Sequence, residues 1–285
     1  CAVTAAERGH KVTLYDAASE IGGQFNIAKR IPGKEEFSET LRYFEVRLAE
    51  LNVEVKLNTS LTTQALNQMQ VDELVLATGV SPRQLALPGH NHAKVLNYLE
   101  VIKGVNVGPK VAIIGAGGIG FDTAEYITHS GEATSLNIPA FMKEWGVDMS
   151  FGSRSGIEGV TAAPEPSPRE VYLLQRKSSR VGSGLGKTTG WTHRISLAQR
   201  GVKMLNGLEY HKIDDQGLHI STNGQPDVLE VDTIIVCAGQ LPKRNLFDEI
   251  TAMGMDASLI GGAFEASELD AKAAINQASY LAAAI

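Results

Sequence analysis

The alternation of hydrophobic and polar residues along the chain predicts a protein of the α/β class. Runs typical of buried or half-buried strands occupy residues 10–15, 53–57, 73–77, 111–114, 170–174, 202–205 and 233–236. Helical spacing of apolar residues covers 35–51, 138–145, 191–200 and 268–284. Residues 208–231 alternate around Asn223-Gly224, which predicts a β-meander. Strands that alternate with helices favour parallel sheets.

A glycine-rich turn joins the strand at 111–114 to an apolar helix. Its residues are Gly115, Ala116, Gly117, Gly118, Ile119 and Gly120. In a dinucleotide-binding unit the first glycine of this spacing permits a tight turn and the second lets a pyrophosphate approach the backbone. The third lets the helix pack closely on the strand, and the N–H groups at the helix start attract phosphate. The turn therefore predicts a nucleotide site.

The residues after the next strand favour NADPH as the nucleotide at this site. Units that bind NAD usually carry an acidic residue there, which binds the ribose 2′-hydroxyl. This chain has Arg176 and Lys177 instead, and a guanidinium binds a 2′-phosphate well. The alternative is a solvated basic loop. Residues 130–168, rich in Gly, Ser and Pro, are interpreted as an insertion that lengthens the spacing from Gly115.

The loop at 178–190 supplies one further candidate for binding phosphate. Lys187 stands in a run of Gly and Thr that resembles the end of a phosphate loop, but the full spacing and the preceding strand are absent. We therefore reject a phosphate loop of that type and retain Lys187 as a candidate contact to the NADPH phosphate.

A second nucleotide unit is indicated by the first residues of the chain. The strand at 10–15 ends at Asp16, which is placed to bind a ribose hydroxyl, and a turn with Gly23 and Gln24 follows. The glycine loop of such a unit lies roughly 20 residues before its acidic residue. We therefore expect that loop upstream of Cys1 and expect the chain to be part of a longer polypeptide.

Two strand ends of similar sequence suggest that one unit is inserted in the other. Residues 76–79 and 236–239 end in Thr78-Gly79 and Ala238-Gly239, and each glycine would meet a nucleotide. The tail, with Gly262 and the helix at 268–284, would return to the first unit. The predicted domains are 1–108 with 241–285, and 109–240.

Composition and charge exclude several classes of partner. The chain has 285 residues, 43% hydrophobic and 20% charged residues, and a net charge of −6. Nucleic acid and anionic membrane are therefore not expected as partners, and no apolar run reaches the ~20 residues of a membrane span. Two distant cysteines, Cys1 and Cys237, form no metal-binding or CxxC spacing, so we expect a reducing, cytoplasmic location.

Several stretches closely resemble the C-terminal portion of bacterial NADPH-dependent 2,4-dienoyl-CoA reductases. These flavoproteins belong with trimethylamine dehydrogenase in a group related to Old Yellow Enzyme. The resemblance extends over essentially the whole chain. The matching stretches are residues 12–37, 110–124, 167–177, 184–194 and 259–275, of which GLGKTTGWTHR at 184–194 is among the most specific.

The resemblance implies two Rossmann-like domains of the pyridine-nucleotide-reductase type, the first without its N-terminal strand and glycine loop. FAD would be bound by Asp16, Gly23, Gln24, Thr78 and Gly79. Phe264 stands where such flavoproteins usually have an aspartate. NADPH would be bound by Gly115, Gly117, Gly120, Arg176 and Lys177.

The resemblance also implies what the rest of the enzyme contains. FMN, a 4Fe–4S cluster and the substrate site would lie in an N-terminal barrel. Electrons would pass from NADPH through FAD, the cluster and FMN to an unsaturated fatty acyl-CoA during β-oxidation. No catalytic acid or metal ligand transfers onto this chain. The alternatives are another NAD(P)H:flavin oxidoreductase of the family, or a nucleotide-binding module that is not catalytic by itself.

Overall fold

The computed structural model describes residues 1–266 and 270–285. Helices α1–α10 span, in chain order, Ala2–Glu7, Phe25–Ala28, Phe37–Glu50, Thr63–Asn67, Tyr98–Ile102, Gly118–Thr128, Ile138–Trp145, Gly190–Gln199, Asn245–Ala252 and Ala271–Ala284. Strands β1–β14 span Thr13–Tyr15, Glu54–Lys56, Val75–Leu76, Val80–Pro82, Val95–Asn97, Lys110–Ile114, Glu170–Leu174, Lys203–Leu205, Leu208–Asp214, Gly217–Thr222, Gln225–Leu229, Thr233–Val236, Gln240–Pro242 and Ser258–Leu259. None of the helices in these described ranges is long and apolar enough to cross a membrane.

The predicted elements are present, with shifted ends. The helix at 138–145 and the strands at 170–174 and 233–236 have the predicted bounds. Several short strands, such as β1 and β3, are trimmed by one to three residues because only part of each apolar run finds a partner strand. Residues 268 and 269 of the last predicted helix lie outside the described residues, and α10 begins at Ala271.

The chain divides into two compact units. The first contains Cys1–Asn26, Glu36–Ser81 and Gln240–Ile285, and the second contains Ile27–Glu35 and Pro82–Gly239. This division differs from the predicted domains, because residues 27–35 and 82–108 belong to the second unit. The reason is packing: β5 pairs with β12, and buried residues of α5 and Ile31 join the core of the second unit.

A five-stranded parallel sheet organises the second unit. Its strand order is β5-β12-β6-β7-β8. The order β8-β7-β6-β12 is the 3-2-1-4 arrangement of a Rossmann half, with β6 as its first strand. Val111, Ala112 and Ile113 of β6 are completely buried, as expected for a strand covered on both faces. The α/β fold class predicted from the sequence is therefore confirmed.

The predicted meander forms a separate antiparallel sheet in the same unit. Its order is β11-β10-β9, and the turn between β10 and β11 contains Asn223 and Gly224 at φ of 52° and 77°. Positive φ at both positions is the geometry of the two-residue hairpin that an Asn-Gly pair favours.

The first unit is built from short parallel strand pairs and helices. β1 pairs with β2, and β3 pairs with β14, which brings the C-terminal tail back to this unit. A small core of Leu66, Leu76 and Ile250 joins α4, β3 and α9. The helix α10 lies against α1.

A buried ion pair holds the insertion to the second unit. Glu144 of α7 accepts a hydrogen bond from Arg200, with 2.5 Å between Oε1 and Nη2, and both residues are buried. Thr134 of the insertion also donates to the Glu144 carboxylate. Arg200 donates further to the carbonyl oxygens of Thr128 and Glu165.

Removing Glu144 is expected to destabilise this unit strongly. Glu144→Ala leaves the Arg200 guanidinium buried without its counter-charge, which costs about 3–5 kcal/mol of unfolding free energy. The neighbouring exposed Lys143 provides the control, since Lys143→Ala should change that free energy by less than about 0.5 kcal/mol. Urea unfolding measures both variants, and equal stability of the two would contradict this account.

Candidate dinucleotide site

The glycine turn after β6 has the backbone geometry that a pyrophosphate site requires. Gly115 has φ of 110°, and a Cβ there would lie 2.4 Å from the carbonyl oxygen of Cys237. A Cβ on Gly120 would lie 1.8 Å from the carbonyl oxygen of Gly115. A Cβ on Gly117 would meet nothing within 4 Å. Gly115 and Gly120 are thus fixed by close backbone approach, whereas Gly117 faces open space.

The start of α6 supplies hydrogen-bond donors to that open space. Gly117 caps the helix, which begins at Gly118. The first N–H groups of a helix have no intrahelical acceptor, and they carry the positive end of its dipole. The side chains of Ala116 and Ile119 pack against the hydrophobic core, so these two residues offer only their backbone to a ligand.

The carboxyl ends of three strands meet beside this turn. Ile114 stands in register with Leu174 of β7 and with Val236 of β12. The Gly115 N–H donates to the Leu174 carbonyl over 3.0 Å, and the Cys237 N–H donates to the Ile114 carbonyl over 2.8 Å. The chain order reverses between β6 and β12, and in parallel sheets of this type ligands bind at such a reversal.

The basic residues predicted to select the nucleotide begin two residues after the end of β7. Arg176 and Lys177 are exposed, and neither forms an ion pair within the described part of the chain. Arg176 lies near Tyr210, whose buried hydroxyl has a raised pKa because burial disfavours the phenolate, although the Arg176 charge opposes that shift. The backbone link between Leu174 and Gly115 brings the strand end to the glycine turn.

Sequence reasoning gave no role to two polar residues of this loop. Arg180 is a third exposed cation, four residues after Arg176. Gln175 places its side-chain amide within hydrogen-bond distance of the backbone of the same loop. The sequence did contain a signal for Gln175. It has a carboxamide at the strand end where NAD-binding units carry a carboxylate.

Lys187 is exposed in the turn before α8, where the Gly190 N–H donates to the Gly186 carbonyl over 2.8 Å. Among the described residues, no hydrogen bond or ion pair joins Lys187 to the glycine turn or to Arg176. Its role in binding NADPH remains a prediction from the sequence.

In the first unit, Asp16 stands directly after β1. Its Oδ1 accepts a hydrogen bond from the Ala18 N–H over 2.9 Å, which fixes the carboxylate at the strand end. Gly23 has φ of 51° with open space around its Cα, and Gln24 is exposed. These three predicted FAD contacts therefore occupy the strand end and the turn that follows it.

A second group in this unit contains the other predicted contacts. Thr78 donates its hydroxyl to the Lys243 carbonyl over 2.5 Å. Gly79 has φ of 76°, and a Cβ on Gly262 would lie 3.5 Å from the Gly79 Cα and 2.6 Å from Cγ1 of Val80. Within the described residues, no hydrogen bond joins this group to Asp16, Gly23 or Gln24.

Gly239 is the counterpart of Gly79 at the end of the second unit. It has φ of 99°, and its carbonyl accepts a hydrogen bond from the Arg83 N–H over 3.0 Å. The preceding Cys237 is buried, and burial raises the pKa of its thiol to about 12. The thiol is thus unreactive at neutral pH.

A parallel sheet with a glycine turn at its reversal point defines a dinucleotide-binding oxidoreductase fold. The chain belongs to the pyridine nucleotide-disulphide oxidoreductase family, whose pattern matches residues 1–261. It is therefore a module of the FAD/NAD(P)-dependent flavoprotein oxidoreductase type.

Similar proteins include two reductases and one solved structure. The metal reductase of Desulforamulus reducens is 25% identical over 266 residues, 92% of this chain and 38% of that protein. The cinnamate reductase of Clostridium sporogenes is 27% identical over 262 residues, 91% of this chain and 34% of that protein. The structure of a complex of 2-naphthoyl-CoA reductase with 2-naphthoyl-CoA has a TM-score of 0.80 and 25% identity, and covers 100% of this chain and 38% of that one. The chain thus spans little more than a third of the length of these relatives.

Two glycine substitutions separate the folding role of the turn from its binding role. Gly117→Ala should change the unfolding free energy by less than about 1 kcal/mol, since its backbone conformation suits any residue and space is open. Its methyl group should still weaken binding of a nicotinamide nucleotide at least about tenfold, because the pyrophosphate must approach closely there. Calorimetric titration with NADPH measures this loss.

Gly120→Ala is the matched comparison, and it should lower the unfolding free energy by about 3 kcal/mol because the methyl group collides with backbone. Unchanged NADPH affinity in Gly117→Ala would show that the nucleotide lies elsewhere.

Proposed function

We propose that this chain is the FAD- and NADPH-binding portion of a larger NADPH-dependent 2,4-dienoyl-CoA reductase. Such an enzyme reduces an unsaturated fatty acyl-CoA during β-oxidation. The proposal rests mainly on the glycine turn at the point where the strand order of the sheet reverses. Arg176 and Lys177, in the loop after the neighbouring strand β7, add to it. In this function the chain supplies the step that passes a hydride from NADPH to FAD.

The choice of NADPH over NADH rests on charge at the end of β7. A carboxylate there would repel a 2′-phosphate, whereas a guanidinium can donate two parallel hydrogen bonds to it. Arg176 is exposed, and no ion pair within the described ranges competes for its charge. Arg176 would bind the 2′-phosphate directly, and Lys177 would add attraction at longer range.

The residues of the first unit fit an FAD nucleotide. Oδ2 of Asp16 has no hydrogen-bond partner within the described part of the chain, so it can accept from a ribose hydroxyl while Oδ1 is held by Ala18. The open backbone at Gly79 permits close approach of a ligand. FAD, when bound, supplies the hydride acceptor, and the protein supplies position and electrostatics.

The substrate class is suggested by the relatives. Cinnamate reductase and 2-naphthoyl-CoA reductase are named for conjugated acyl compounds, and the latter is solved with a CoA thioester. Conjugation beside a carbonyl makes a double bond able to accept hydride, which a dienoyl-CoA shares. The substrate site, FMN and a 4Fe–4S cluster would lie in an N-terminal barrel outside this chain.

Another NAD(P)H:flavin oxidoreductase of the family is the second candidate function. It is favoured by the similarity to a metal reductase, which matches 92% of this chain. Disulfide reduction is disfavoured, because the sequence has only Cys1 and Cys237 and no CxxC pair. Burial of the Cys237 thiol argues in the same direction.

Spectroscopy of the purified chain tests the proposed function most simply. We expect the protein to be yellow, or to become yellow with added FAD, and to lose its flavin absorbance when NADPH is added without oxygen. A protein that binds NADPH but never FAD would be a nucleotide-binding module without catalysis of its own. Bleaching by NADH alone would contradict the assignment of NADPH.

Replacing Arg176 should change the preference between the two nicotinamide nucleotides. Arg176→Ala removes charge-assisted hydrogen bonds to the 2′-phosphate, so the Kd for NADPH should rise about 100-fold. The Kd for NADH should change less than about threefold, since NADH lacks that phosphate. Arg154→Ala removes an exposed arginine of the insertion and should leave both values unchanged. Equal losses for NADPH and NADH would contradict binding of the 2′-phosphate by Arg176.

A further inference from the structure

The side-chain amide of Gln175 lies at the centre of the basic loop that follows β7. Its Nε2 is 2.8 Å from the Ser179 carbonyl oxygen and 3.0 Å from the Lys177 carbonyl oxygen. It is also 3.2 Å from Oγ of Ser179. The Gln175 backbone is fixed at the same time, because its N–H donates to the Leu205 carbonyl over 2.9 Å. One side chain thus ties the loop to the strand end.

Residues 206–208, at the start of β9, bind further carbonyl groups of this loop. The Asn206 side-chain amide donates to the Ser178 carbonyl over 2.6 Å. The Gly207 N–H donates to the Lys177 carbonyl over 3.0 Å, and the Leu208 N–H donates to the Gln175 carbonyl over 3.2 Å. The carbonyl groups of residues 175, 177, 178 and 179 therefore all accept hydrogen bonds from the Gln175 side chain or from residues 206–208.

Within each of these peptide units, the N–H group points the other way from the carbonyl group. In a trans peptide the N–H points away from the carbonyl of the preceding residue, and the described chain has no cis peptide bond. The N–H groups of residues 176, 178, 179 and 180 are therefore directed away from Gln175 and Asn206. Among the described residues, none accepts a hydrogen bond from these groups. Backbone N–H groups without a protein acceptor can bind an anion where several of them converge.

Three positive side chains project from the same five residues. Arg176, Lys177 and Arg180 are exposed, and none has an ion-pair partner within the described ranges. We propose that Gln175 is a positioning residue, whose side-chain amide holds residues 176–180 in the conformation that binds the nucleotide 2′-phosphate. This inference rests on the proposed NADPH function.

The chemistry of a carboxamide explains why glutamine suits this position. The amide Nε2 is a donor, and its loop partners are all oxygen atoms. A glutamate of the same shape is an acceptor only, so it would repel the carbonyl oxygens that glutamine binds. It would also place a negative charge beside the phosphate. The single change from carboxylate to carboxamide thus both removes repulsion and holds the loop in that conformation.

Two variants of nearly equal volume test this positioning role. Gln175→Met removes the donor without adding charge, and we expect the Kd for NADPH to rise about tenfold with the loss of one to two hydrogen bonds. Gln175→Glu adds charge, and we expect a rise of about 100-fold or more. The Kd for NADH should rise by less than about threefold in both variants, because NADH has no 2′-phosphate. Gln199→Met, an exposed glutamine of α8, is the control and should change neither value.

Amide hydrogen exchange gives a second readout on the complete chain. In the unmodified protein, adding NADPH should slow exchange at residues 176–180, and adding NADH should not. Gln175→Met should lose this protection while exchange within β6 and β7 is unchanged. Thermal melting of each variant identifies any general loss of folding.

The outcomes separate this inference from the function on which it rests. If the unmodified protein binds NADPH no better than NADH, the proposed NADPH function is wrong. If it prefers NADPH and both Gln175 variants keep that preference, the positioning role is wrong while the function stands. If Gln175→Met weakens NADPH and NADH equally, Gln175 supports only the general fold, which also overturns the inference.

Discussion

The close approach of α6 to the turn after β6 governs the second unit. A methyl group on residue 120 would lie only 1.8 Å from the carbonyl oxygen of residue 115. Because Gly120 has no side chain, α6 can begin directly against the end of β6. Because Gly115 has positive φ, the turn can pass next to the Cys237 carbonyl of the neighbouring strand end. The position of the helix N-terminus follows from these two approaches.

The functional geometry depends on that position. With α6 held at the sheet edge, its free N–H groups face the open space above Gly117, where a pyrophosphate fits. The Gly115 N–H donates to the Leu174 carbonyl, which brings the end of β7 next to the glycine turn. In the proposed function, the glycine turn sets where the pyrophosphate binds, and the loop after β7 sets which nucleotide is preferred.

Much of this arrangement could be predicted from local sequence. The glycine spacing predicted the turn, and apolar runs predicted β6, β7 and β12, because these signals depend on neighbouring residues. The membership of residues 82–108 in the second unit could not be predicted, since β5 is placed by pairing with β12, far along the chain. The burial of Arg200 against Glu144 and the hydrogen bonds of Gln175 were missed for the same reason: their partners are chosen by the fold. In the first unit, the sequence did not indicate that Gly262 lies against Gly79, because the two residues are far apart along the chain.

In the proposed function, the second unit binds NADPH with its pyrophosphate at the glycine turn and its 2′-phosphate at the loop after β7. A crystal structure of the chain with bound NADP⁺ measures this most directly. We predict pyrophosphate oxygens within hydrogen-bond distance of the N–H groups at the start of α6, and the 2′-phosphate within that distance of the Arg176 guanidinium. A nucleotide bound away from Gly117, or one whose 2′-phosphate contacts only solvent, would contradict the account.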